Sequence, residues 1–259
     1  MWKHLNRILA CAILLFMLAP IIIIFLNSFN SSTFFSFPPE GFTLDWYKRF
    51  LVNNEYRKAI STSLQLAFSA VALALSVGIP AAYAMFKWND PKRNVIQAIF
   101  LSPLMLPGIV WAIGLIQYYS LIGLLGSFLG LMCAHAIIIV PYVIRLVTAS
   151  LQYLDFDTEN AARTLGATPM KSFFSITLPA IKSGVIISGI FGFMISFTDV
   201  VISTFIAGSK YITYPVRMYV QLRTEGLDPL AVAVSAAIMF VIIIVALLAE
   251  KFLNWSKYL

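Results

Sequence analysis

Leu129-Gly-Leu-Met-Cys-Ala-His-Ala-Ile-Ile-Ile-Val-Pro-Tyr-Val-Ile-Arg-Leu-Val147 carries a single charge, Arg145, in 19 residues. Coiled as a helix, such a run is about long enough for the ~30 Å hydrocarbon core of a bilayer, which needs roughly 20 apolar residues. Reading outward, five more blocks of this kind follow: Leu9–Phe29, Leu64–Phe86, Val95–Tyr118, Val185–Ala207 and Leu230–Phe252. Charge is almost absent from them, apart from Asp199 and, at the end of the last, Glu250 and Lys251. The blocks are continuous, whereas barrel strands would alternate over about ten residues. In lipid every backbone group must be paired internally, so continuous blocks mean helices. The chain is 60% hydrophobic and 11% charged, against about a quarter charged in soluble domains. These features predict an all-α integral membrane protein of six transmembrane helices. One membrane domain fills residues 1–259, with an external loop at about 30–60 and a cytoplasmic loop at about 153–182.

The net charge of +7 does not indicate nucleic acid, because the cations flank spans or lie in short loops. With the N-terminus inside, eleven of the 18 Lys and Arg fall on the cytoplasmic side: Lys3, Arg7, Lys87, Lys92, Arg93, Arg145, Arg163, Lys171, Lys182, Lys251 and Lys257. The Gly123–Phe128 loop, placed outside, has no charge. An even number of spans then puts both termini in the cytoplasm. The basic start before an apolar run has the look of a signal sequence; the run is too long, and no cleavage pattern follows Leu26, so it reads as an uncleaved first span. Cys11 and Cys133 both fall within spans, where they form no disulfide framework or metal site.

In the external loop, Trp46, Tyr47 and Phe50 suit a helix lying on the outer surface with its aromatics at headgroup level, capped by Asp45 or Thr43. Asp90-Pro91-Lys92-Arg93 is read as a tight basic turn inside. Pro103, Pro107 and Gly108 in the third span and Pro141 in the fourth are expected to bend their helices.

The cytoplasmic segment from Leu154 to Pro179 contains Asp155-Phe-Asp-Thr-Glu159-Asn-Ala-Ala-Arg-Thr-Leu-Gly166-Ala-Thr-Pro169-Met-Lys-Ser-Phe-Phe174. It predicts two short helices. Asp155 or Asp157 caps the first, Glu159 and Arg163 pair across one turn, and Gly166 ends it. Thr168 caps the second, with Pro169 in its first position. That helix runs to about Thr177, and Leu178-Pro179 turns the chain toward the fifth span. Ala161, Ala162, Leu165, Met170, Phe173 and Phe174 leave an apolar surface on a cytoplasmic loop, which marks a docking face. The other reading is that they pack on the protein's own inner ends.

Glu159-Asn-Ala161-Ala162, Gly166 and Ile176-x-Leu178-Pro179 resemble the EAA loop of permease subunits in bacterial ABC importers. Asn160 stands where that family often has alanine. The resemblance continues in Ala134-His135 through Pro141, in Ser196-Phe-Thr-Asp199 through Gly208, and in Tyr214-Pro-Val-Arg-Met-Tyr219. These stretches are similar to the spermidine/putrescine branch, and within it to the C-type subunit. The resemblance implies the type I importer permease fold and a bacterial inner-membrane location. It also implies a second permease, making a heterodimer, two copies of an ATPase and a periplasmic or extracellular binding protein. The coupling residues it implies are Glu159, Ala161, Ala162, Gly166, Pro169, Met170, Phe173, Phe174, Leu178 and Pro179. The second helix would enter a cleft of the ATPase, and Glu159 and Gly166 would fix it there.

No phosphate-binding loop of the Gly-x-x-x-x-Gly-Lys-Ser/Thr type occurs. ATP and Mg therefore belong on a partner, and no cofactor is expected on this chain, nor any catalysis. Asp199 lies deep in a span, where a charge costs a few kcal/mol. It either helps receive a cationic substrate or caps a neighbouring helix. Phe197, Trp111 and Tyr118 are candidate path residues, and an aromatic belt is the alternative for Trp111 and Tyr118. His135 reads as a packed, hydrogen-bonded residue, not a metal ligand. Ser188 and Ser196 lack any protease signature and more often pack helices together. A polyamine is the leading substrate; another small organic solute or a metal chelate is the alternative. A channel, a secondary carrier or an intramembrane enzyme are the rivals from other classes.

Overall fold

The computed structural model describes residues 2–88 and 92–253. Asp90, Pro91 and Lys257 lie outside the described residues, while Lys92 and Arg93 of the predicted basic turn open a helix. The chain is helical: α1 Trp2–Asn27, α2 Asp45–Val52, α3 Asn54–Lys87, α4 Lys92–Leu101, α5 Gly108–Ile122, α6 Phe128–Leu151, α7 Asp157–Thr164, α8 Pro169–Ser172, α9 Leu178–Ala180, α10 Lys182–Thr198, α11 Val201–Ile206, α12 Tyr214–Thr224 and α13 Pro229–Leu253.

The apolar blocks become helices of three kinds. Stretches in α1, α3 and α6 are long and apolar enough to cross a membrane unbroken. The third block is bent by 102° between Lys92–Met105 and Gly108–Ile122. Leu106 and Pro107 are extended there, with ψ of 136° and 139°. A proline's ring disfavours the helical region for the residue before it, which accounts for Leu106. The fifth block opens with a second bend of 72° between Pro169–Ala180 and Lys182–Thr198. The last block lies in α13, Pro229–Leu253, a helix of 25 residues. Among the described residues, and leaving α13 aside, three spans are unbroken by length and composition, and up to five are reached if each bent pair counts as one. Pro141 lies inside α6, which continues through it without a break.

The described chain forms two compact units. The first comprises residues up to Lys58 together with Arg217–Phe252. Here α2 is tied to the end of α1. The Trp46 indole donates to the Asn30 carbonyl at 2.8 Å, and Tyr47 shares a 2.7 Å hydrogen bond with Ser28. Trp46 is only 8% exposed, so it anchors the loop within the protein. An indole has one donor, and a loop carbonyl without a helical partner is where it goes. Thr43 accepts the Asp45 N–H at 3.2 Å just ahead of α2, whose N-cap position is held by Leu44 and not by Asp45 or Thr43. In the same unit Glu55 pairs with Arg217, and Tyr56 donates to Gln221, which in turn donates to Asp228 at 3.1 Å. On α1, Ile8, Leu15 and Phe16 are exposed, a surface suited to lipid contact.

The second unit, Ala59–Val216, is organised by α6 packed on α10. Gly184, Ser188, Gly192 and Ser196 recur every fourth residue on α10 and all are buried. Small residues at this spacing let two backbones approach closely, which drives helix association in lipid where apolar burial alone cannot. Ile139, Val143, Val147 and Leu151 of α6 fill the contact, with Ala70, Ala74 and Ala82 of α3 beside them.

Candidate functional site

The loop between α6 and α10 is built by local rules. Asp155 accepts the Asp157 N–H at 3.0 Å and so starts α7. At its end Gly166 adopts φ +93°, the left-handed region that suits glycine. Its N–H donates to Arg163 at 3.0 Å, and the Ala167 N–H donates to Ala162 at 3.0 Å. Thr168 accepts the Lys171 N–H at 3.3 Å and Pro169 opens α8, both as expected. Phe173–Thr177 then forms a π turn in which the Leu178 N–H reaches back to Phe173. Pro179 cannot donate to the carbonyl one turn before it, and widening the turn re-pairs the neighbouring groups. The helical path therefore continues through Ala180. The chain turns at Ile181, not at Leu178-Pro179.

Two faces result. Leu165, Met170 and Phe174 are 89%, 68% and 57% exposed, and Ala161, Pro169 and Pro179 are exposed with them. Ala162 and Leu178 are half-buried, and so is Phe173, whose ring lies 4.7 Å from that of Tyr83. Glu159 is on the other face and only 1% exposed. One carboxylate oxygen pairs with Lys87 and accepts from the Tyr83 hydroxyl at 2.7 Å; the other accepts from Thr177 at 2.6 Å. The pairing of Glu159 with Arg163 expected from their spacing is thus replaced by one with Lys87. The physical reason is direction: α7 turns Glu159 inward, while Arg163 is exposed. A solvated pair at this spacing contributes only a few tenths of a kcal/mol. Lys87 also lies over the Tyr83 and Phe156 rings at 4.8 and 5.2 Å, which favours its charge. Tyr83, Lys87 and Thr177 were not legible as site residues, since nothing in the loop's own pattern points to the end of α3.

Burial pushes the Glu159 carboxyl up, but hydrogen bonds from Lys87, Thr177 and Tyr83 more than offset it and hold it below the ordinary 4.5. A carboxylate depressed by folding stabilises the fold above its unfolded value, and that contribution is lost as pH falls through the lower folded value. The loop should therefore keep its resistance to protease between pH 8 and pH 5. Accelerated cleavage already at pH 5 would contradict this assignment.

The second polar cluster lies within the helices. His135 is fully buried, with Nδ1 at 2.8 Å from the Ser196 hydroxyl and Nε2 at 3.0 Å from that of Ser203. Asp199 occupies the break between α10 and α11, accepts the Ser203 N–H at 2.9 Å and lies 3.7 Å from His135. The histidine is thus a packed, hydrogen-bonded residue joining α6, α10 and α11. The helix-capping reading of Asp199 holds. Its cation-receiving reading is not displaced by this, because capping uses one oxygen. Trp111 donates to the Pro103 carbonyl at 3.2 Å, at the bend of the third block. Phe197 is buried against Phe193 and Tyr214, and Tyr118 is exposed. Among the described residues no group of three or more His, Cys, Asp or Glu is placed to hold a metal.

Comparison with known proteins shows the family and the fold. The chain is 30% identical to the spermidine/putrescine transport system permease protein PotC of Escherichia coli K12, over 95% of this chain and 92% of that one. It is 29% identical to the putrescine transport system permease protein PotI of the same strain, over 90% and 85%. A bacterial ABC transporter that imports the acidic polysaccharide alginate has the same fold, with a TM-score of 0.78 at 18% identity over 97% and 96% of the two chains. Residues 74–255 match the family of binding-protein-dependent transport system inner membrane components. The apolar helices, the relationship to PotC and this match together place the chain in that family, as the inner-membrane permease subunit of an ABC importer.

Proposed function

We propose that this permease carries a polyamine, spermidine or putrescine, in an assembly with a second permease, two ATPase subunits and an external binding protein. The observation that carries the substrate is the 30% identity to PotC across 95% of the chain. The whole chain, 1–259, acts as one six-span domain with both termini in the cytoplasm. It binds no cofactor of its own; ATP and Mg reside on the ATPase. The exposed face of Leu165, Met170 and Phe174, with Ala161, Pro169 and Pro179, meets the ATPase, and the apolar exposure in a cytoplasmic loop supports this. Closure of the ATPases on ATP pushes α8 and rocks the membrane helices between inward and outward states. Asp199, Trp111, Tyr118 and Phe197 belong to the substrate path.

The test is an assembled importer in proteoliposomes: spermidine or putrescine with the binding protein should raise ATP hydrolysis severalfold and be taken up. Stimulation by another small solute and not by polyamines would replace the substrate and keep the permease. Uptake without any ATPase would instead favour a secondary carrier. Asp199→Asn keeps a good helix cap and removes the charge. It should lower polyamine uptake severalfold at normal expression, and unchanged uptake would remove Asp199 from the path.

A further inference from the structure

The carboxylate of Glu159 is the one buried charged group of the docking loop. Both its oxygens are taken by groups of this same chain: Lys87 and Tyr83 from the end of α3, and Thr177 from the π turn. At 1% exposure it has no surface left for a partner protein. Glu159 is the buried member and the Lys87 side chain is 31% exposed, so removing Lys87 leaves a buried carboxylate without its counter-charge, which costs more than losing a pair exposed at both ends. Around the polar centre the rings of Phe86 and Phe156 stack at 5.3 Å, and those of Tyr83 and Phe173 pack at 4.7 Å. α3, α7 and the π turn therefore meet at one point, although Lys87 and Glu159 are 72 positions apart.

We propose that Glu159 is an internal positioning residue that, with Lys87, clamps the docking loop to the end of α3, so that α3 moves with the loop when the ATPase pushes it. This rests on the importer reading above and deepens it. The push then enters the membrane helices by two routes, through the chain into α10 and through the clamp into α3. The exposed apolar face alone is left to bind the ATPase. Glu159 thus acts on transport without touching substrate, nucleotide or ATPase.

The variants are Lys87→Met, Glu159→Gln, the two combined, and Lys87→Arg, each in the assembled importer. Uptake per ATP hydrolysed should fall at least fivefold in each of the first two, with ATPase subunits co-purifying at the wild-type level. The double variant should be no worse than the more impaired single one, and Lys87→Arg should stay within twofold of wild type. Normal uptake per ATP in Lys87→Met would overturn the clamp. So would loss of ATPase subunits from Glu159→Gln alone, since Glu159 would then be a contact to the partner. In the isolated subunit, trypsin cleavage after Arg163 and Lys171 should be at least fivefold faster in Lys87→Met and Glu159→Gln. Equal rates there would also overturn it. An inactive wild-type assembly would count against the importer reading, and the cleavage rates would still decide the clamp.

Discussion

Replacing Gly166 with valine should cut uptake by about tenfold or more in the assembled importer while ATP hydrolysis continues. The cause is conformation, not space. A Cβ at this position would meet nothing within 4 Å, but the backbone sits at φ +93°. A left-handed residue with a side chain costs roughly 1–2 kcal/mol, and a β-branched one more. Helix α7 spans eight residues and has little cooperative stability of its own to resist that strain. The chain relieves it by leaving the left-handed well, which breaks the paired bonds from Gly166 and Ala167 and swings α8. An energy of 1.4 kcal/mol corresponds to about tenfold in population, hence the size of the loss. Uptake and ATP hydrolysis measured on one preparation check it. Gly166→Asn, which tolerates the left-handed region better, should lie between valine and wild type. Full uptake in the valine variant would mean that the angle between α7 and α8 does not matter for coupling.

What the sequence made legible divides by range. The two-helix loop was readable because its signals are local: Asp155 reaches two residues on, Thr168 three, and Gly166 closes its own turn. The apolar blocks were readable because lipid permits few alternatives. The bend at Pro107 was signalled by its prolines, whereas the break at Asp199 uses a side-chain cap and no proline or glycine. There the sequence offered two meanings for one carboxylate, and only the Ser203 contact resolves the structural one. Glu159 was misdirected for a similar reason. Arg163 stands at helical spacing, but facing is decided by what packs beneath α7, and Lys87 enters from another helix. Pro179 marked an ending, yet the π turn absorbs its missing donor and carries the helix on to Ala180. His135 is legible as a packed residue because a lone histidine has no metal partner in sequence; its serines come from two other helices.

A large structural effect is expected at the α6–α10 contact. A Cβ on Gly192 would stand 2.7 Å from Cγ2 of Ile139 and 3.2 Å from Cγ2 of Val71. Ile139 is fully buried, so it has no free space to turn into and the helices must separate. Overfilling a packed interior costs roughly 1–3 kcal/mol. Separation also strains the bonds of His135, one turn before Ile139, to Ser196 and Ser203, and interhelical bonds in membranes contribute about 0.6 kcal/mol each, up to about 2. Against a total stability of roughly 5–15 kcal/mol, Gly192→Leu should lower the thermal midpoint of the detergent-solubilised subunit by several degrees and its yield severalfold. Gly192→Ala should do so less, because the clash begins at Cβ but ends there. Ile139→Ala removes the methyl group that collides, so the double variant Gly192→Leu with Ile139→Ala should recover part of the loss. Two losses that simply add would show that Gly192 and Ile139 do not share the contact, and the close approach of α6 to α10 would then rest on Gly184 and Ser188 instead.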